Sequence, residues 1–122
     1  MQVTTPASLR TIGFDAFNGC KSLKYVNISD GLEVVGAGAF SESGLESFFS
    51  PESLKKINRH AFYGCQKLRG VRLNKNLEDV NESAFEKSPI EDVIVEAGCK
   101  VDVKRRVSSS ARVIEEEAQD AV

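Results

Sequence analysis

Chemistry in this chain would have to come from few side chains. His60 is the single histidine, and Cys20, Cys65 and Cys99 are the only thiols. An activated nucleophile needs a base within hydrogen-bond reach and a third group to orient that base. A structural zinc site needs closely spaced thiolate and imidazole ligands. Neither pattern is present: there is no C-x-x-C, and His60 has no partner at ligand spacing. Glu33, Glu46, Asp79 and Glu91 are spread along the chain without a favoured pair. No G-x-G-x-x-G or Walker-type loop is found, and Gly36-Ala37-Gly38 reads as part of a turn. The sequence therefore predicts no enzyme, no cofactor and no metal. An odd number of cysteines cannot close a disulfide framework, so all three are expected to be reduced, with Cys20 and Cys65 as small hydrophobes.

What positions every residue here is an internal repeat. LRTIGFDAFNGCKSLKYVNISDG begins at Leu9, and related units begin at Leu32, Leu54 and Leu77. Each contains an Ala-Phe pair: Ala16-Phe17, Ala39-Phe40, Ala61-Phe62 and Ala84-Phe85. Four of the seven phenylalanines thus share one column, and stacked repeats would align them as a spine. A second pattern, Leu23-x-x-Val26-x-Ile28, returns at Leu45, Leu68 and Ile90. Its last two positions alternate with period two, which predicts a strand in every copy. Copies one and three read Phe-x-Gly-Cys (Gly19-Cys20 and Gly64-Cys65), while copies two and four are one residue shorter there. A turn absorbs such a change, whereas a one-residue slip in a strand would invert its faces.

These residues resemble the leucine-rich repeats, and within them the BspA-like class, through L-x-x-I-x-x-x-A-F-x-G-C-x-x-L-x-x-V-x-I. The resemblance covers residues 1–100. It implies a right-handed repeat solenoid with a parallel sheet on the concave face and short strands or helical turns on the convex face. It also implies protein recognition at a cell surface or in secreted form, with a host or matrix protein as partner. The Asn/Cys column of the general leucine-rich pattern reads Gly31, Ser53, Asn76 and Gly98, so only Asn76 matches. The phenylalanine column is expected to take over the stacking.

With 122 residues, 41% hydrophobic and 28% charged, the chain fits one domain. A net charge of -2 gives no electrostatic reason to expect nucleic acid. No apolar run is long enough to span a membrane, and the opening residues lack a signal-peptide pattern. Val3 to Leu9 superposes on Phe48 to Leu54, so the chain opens with a half repeat over residues 1–8. No polar cap precedes residue 9. Either further repeats precede it or this open end self-associates with another chain. A fifth unit would start at Cys99, where the pattern fails because Asp102 falls in the Ile12 column. Residues 101–122 are expected to form a C-terminal cap, with Val101, Val103, Val107, Val113 and Ile114 over the last rung. The closing EEEAQDAV is expected to be a frayed or weakly helical acidic tail.

If Val26 and Ile28 point inward, then Tyr25, Asn27, Ser47, Phe49, Gly70, Arg72, Asp92 and Ile94 tile the opposite face. Phe49 and Ile94 are large and apolar where water is expected, and Tyr25 and Arg72 are types enriched in binding hot spots. These eight residues are the candidate protein-binding site. Asn27-Ile28-Ser29 and Asn81-Glu82-Ser83 match the N-glycosylation acceptor pattern, and a glycan on Asn27 would compete with binding there. A spacer segment of a longer array and an intracellular scaffold are the alternative roles.

Overall fold

The computed structural model describes residues 2–117. The chain is a parallel β-solenoid of about five turns. One wall carries β1 (Gln2–Thr4), β3 (Tyr25–Asn27), β5 (Ser47–Phe49), β7 (Gly70–Leu73), β9 (Asp92–Glu96) and β10 (Arg112–Glu116). A second wall carries β2 (Thr11–Ile12), β4 (Val34–Val35), β6 (Lys56–Ile57) and β8 (Asp79–Val80). A four-residue helix, α1 (Val103–Arg106), lies between β9 and β10. Every strand pair is parallel, and each register joins equivalent positions of successive copies, as in Ser47 with Gly70 and Asp92.

The registers bury one residue type per column. Val35, Ile57 and Val80 point inward from the second wall, and Phe48, Val71 and Val93 from the first. The third side is the aromatic spine. Phe17 and Phe40 stack at 5.3 Å, Phe40 and Phe62 at 5.4 Å, and Phe62 and Phe85 at 4.9 Å, with ring planes within 9° of parallel. Backbone bonds run beside the rings: the N–H groups of Phe17, Phe40 and Phe62 donate to Ala39, Ala61 and Ala84 of the next turn. Ala39, Ala61 and Ala84 are fully buried, because only a methyl fits beside the rings.

The one-residue difference between copies lies in the convex turn, as its position in the sequence predicts. Cys20, Ser43, Cys65 and Ser88 each follow their Phe by three residues and form one column. The Cys65 thiol donates to the Phe40 carbonyl at 3.0 Å, and the Ser88 hydroxyl donates to the Phe62 carbonyl at 2.6 Å. Burial pushes the Cys65 thiol pKa up, so it stays a neutral donor. The turn just before this column is left-handed: Gly19, Glu42, Gly64 and Lys87 all have positive φ. His60 is also left-handed and exposed, so its place in the fold is a convex turn.

Three features depart from the sequence-based expectation. The first wall extends beyond residue 100: β10 pairs with β9 in register, Arg112 with Asp92 and Ile114 with Ile94. Glu115 and Glu116 are therefore strand residues, not helical or frayed; Glu117 follows the strand, and the rest of the expected acidic tail, 118–122, lies outside the described residues. The step to this last strand is 20 residues, because α1 and its turn replace the longer convex segment. Val103, Val107 and Ala111 cover the last rung, whereas Val113 and Ile114 stay exposed on the outer strand. Second, a buried asparagine occurs outside the family's Asn/Cys column, at Asn74. Its side-chain amide donates to Ser50 Oγ at 3.1 Å, Leu54 O at 3.3 Å and Pro51 O, while Asn76 is exposed. Third, the first wall is not one sheet. β1 and β3 form a pair apart from the sheet β5-β7-β9-β10.

The break falls beside a rung with an oversized inward residue. Phe48 occupies the column that holds Val3, Val26, Val71, Val93 and Val113 elsewhere. Its ring packs on Phe62 at 4.5 Å with a 49° tilt. The ladder stops after the Glu46 N–H donates to the Lys24 carbonyl.

Phe62 touches rings on three sides, so Phe62→Ala should cost about 3–5 kcal/mol of stability, read as a lowered urea midpoint. Phe14→Ala serves as the comparison, since Phe14 is 72% exposed, and it should leave the midpoint within about 0.5 kcal/mol.

Candidate functional site

The concave wall carries the candidate residues in two rows. Ser47, Gly70 and Asp92 form one row, continued by Arg112 of β10. Phe49, Arg72 and Ile94 form the other, continued by Ile114. Tyr25 and Asn27 lie on the same wall across the break, beside Gln2 and Thr4 of β1. Six of the eight residues therefore share one sheet, and two stand on its detached neighbour.

Phe49 is 64% exposed, Tyr25 is 50% exposed and Ile114 is 37% exposed. Strand alternation causes this directly, since Phe48 and Phe49 differ by one position and face opposite ways. Charges on the face are mostly paired. Arg72 donates to Glu116 at 2.8 Å, and Arg112 Nε donates to Asp92 Oδ1 at 3.0 Å. The Glu116 hydrogen bond raises the Arg72 guanidinium pKa further, so it is a fixed cation. At the edge of the face, Glu96 Oε1 accepts the Lys75 N–H at 3.0 Å, and this bond lowers the Glu96 pKa. Partial burial raises the nearby Glu52 pKa, and the approach of Glu96 adds to it.

A cleft of about 260 Å³ opens at the sheet break, between Tyr25 and Phe49. Gln2, Val26, Asn27 and Ser47 complete its lining. The Tyr25 hydroxyl donates to Glu46 Oε1 at 2.9 Å. Among the described residues, no group of three or more His, Cys, Asp or Glu is placed to hold a metal ion. Asn81, the second glycosylation match, is engaged in its own turn, where its Oδ1 accepts the Ser83 N–H and hydroxyl.

A family model described as the BspA type leucine rich repeat region matches residues 1–104 in six copies. The chain belongs to the BspA-type leucine-rich repeat family. BspA-type repeats are typically non-enzymatic scaffolds, generally mediate protein–protein interaction and are often surface-associated. Among solved structures, the fold is similar to the crystal structure of a leucine-rich repeat protein from Bacteroides ovatus ATCC 8483. The TM-score is 0.68 at 21% identity, over 94% of this chain and 33% of the other. The chain thus spans about one third of that protein's length. No curated protein matches the chain. Among the described residues, no helix is long and apolar enough to cross a membrane.

Residues of the face that sequence reasoning missed are Arg112, Ile114 and Glu116, together with Gln2 and Glu46. Arg112-Val113-Ile114 does repeat the polar-apolar order of Asp92-Val93-Ile94, but at an unfamiliar step. Glu46 could not be found by strand alternation, because it precedes β5 and reaches Tyr25 across the break.

The hydrogen bond to Glu46, helped by its negative charge, raises the Tyr25 phenol pKa. Glu46→Gln removes the charge that opposes the phenolate, so the Tyr25 pKa should fall toward the usual tyrosine value. An NMR pH titration of the Tyr25 ring carbons reads this, and an unchanged midpoint would contradict the contact.

Proposed function

We propose that this chain is a non-enzymatic protein-binding module that recognises a host-cell or matrix protein at a cell surface through its concave wall. The supporting observation is the row Phe49, Arg72, Ile94 and Ile114, where apolar side chains and a held guanidinium lie together on a preordered sheet. A rigid sheet loses little conformational entropy when it docks, so more of the contact energy appears as affinity. Arginine and aromatic side chains are the types that dominate such contacts. The surface location comes from the tendency of the family.

A second reading, a spacer within a longer array, is favoured by the threefold greater length of the Bacteroides ovatus protein. The two differ in whether the concave face is used. A pull-down against host-cell and matrix proteins supplies the partner. Phe49→Ala combined with Arg72→Ala should then weaken its binding at least about tenfold, with unchanged circular dichroism. Unchanged affinity would remove the concave wall from the account.

Self-association is proposed at the opposite feature of the chain. At the N-terminal end, Val3, Pro6, Leu9, Ile12 and Phe17 line an open apolar hollow of about 280 Å³. Each later phenylalanine of the spine is fully covered, while Phe17 is only half-buried. A preceding turn of a longer array or a second copy of the chain would cover it, and we propose the second for the chain as given. Size-exclusion chromatography with light scattering should show a concentration-dependent dimer, and a strictly monomeric profile at high concentration would refute the contact.

A further inference from the structure

Between β3 and β5 the loss of the ladder makes a site that an intact sheet would not have. Paired strands lie about 4.8 Å apart and leave no room between their side chains. Here β3 and β5 form no ladder, and Tyr25 and Phe49 line a cleft between them. Val26 also lines the cleft. Gln2, Asn27 and Ser47 add two amides and a hydroxyl, and none of these three side chains is hydrogen-bonded to another described residue.

The lining carries no formal charge. The carboxylate of Glu46, beside the cleft, is held by the Tyr25 hydroxyl. An ionic ligand therefore finds no counter-charge in the cleft. A purely apolar group, such as a proline or leucine side chain, would satisfy the two rings. It would also strip water from Gln2, Asn27 and Ser47 and return no hydrogen bond, which is costly. A polyhydroxylated ring answers both requirements. Its C–H face packs on an aromatic ring, while its hydroxyls both donate to and accept from amides and a serine hydroxyl.

We infer that the cleft between Tyr25 and Phe49 is a binding site for a neutral saccharide unit, such as a sugar residue of a glycoprotein or polysaccharide. The inference deepens the concave-wall reading by naming what one part of the wall contacts. It needs no protein partner, so the saccharide site and the Phe49–Arg72 protein contact can fail separately. The open, shallow shape fits millimolar affinity for a single short chain, raised by repetition of the sugar on a surface.

The test is an NMR titration of the full chain with chitotriose, cellotriose and maltotriose, alongside a polyproline decapeptide. At least one saccharide should give saturable shifts of the amides of Tyr25–Asn27 and Ser47–Phe49. Tyr25→Ala, Phe49→Ala and Asn27→Ala should each weaken that binding, the aromatic changes by about tenfold, with circular dichroism unchanged. Phe14→Ala, a ring exposed away from the cleft, should leave it unaltered. Saturable shifts from the peptide alone, no saturable shift from any of the three saccharides, or saccharide binding that survives loss of both rings would overturn the inference.

Discussion

The structure depends on one constraint: every turn must sit on the previous one in register, so that the four rings of the Ala-Phe pairs stay within about one ring thickness of contact. No single copy could bury its own apolar face, and each ring is covered only because another lies on it. The register that brings the rings together is the same one that aligns the concave rows. A shift of one residue would turn Phe48 out and Phe49 in, and the face would lose its composition.

Polar groups support that register from the two flanks of the spine. Cys65 and Ser88 tie their turns to the ring-bearing backbone one rung earlier, and Asn74 with Ser50 does the same near the concave wall. No buried side-chain nitrogen or oxygen among the described residues is left without a partner. The small polar column thus explains why the shorter and longer copies coexist. The third position after each Phe is kept as Cys or Ser in both, so the spare residue is absorbed beyond it.

The spine, the strand positions and the two faces of the wall were legible in the sequence because they are periodic. What was not legible came from departures from the period. β10 follows a 20-residue step, so the alignment that located the other strands missed it, although Val113 occupies the expected inward column. Asn74 was passed over because the family's spacing pointed to Asn76 two residues on. The break between β3 and β5 is an interruption of the backbone ladder, which a polar–apolar pattern does not register. That break matters for the site, since it separates Tyr25 and Asn27 from the other six candidates and creates the cleft.

The most direct measurement of the stacked register is the set of ring-to-ring NOEs in a sample labelled only at phenylalanine. Contacts should connect Phe17 to Phe40, Phe40 to Phe62 and Phe62 to Phe85, with Phe48 joined to Phe62 and no contact between Phe17 and Phe62. Rings that show no such chain of contacts, or that connect in another order, would contradict the stacked spine and the concave face aligned with it.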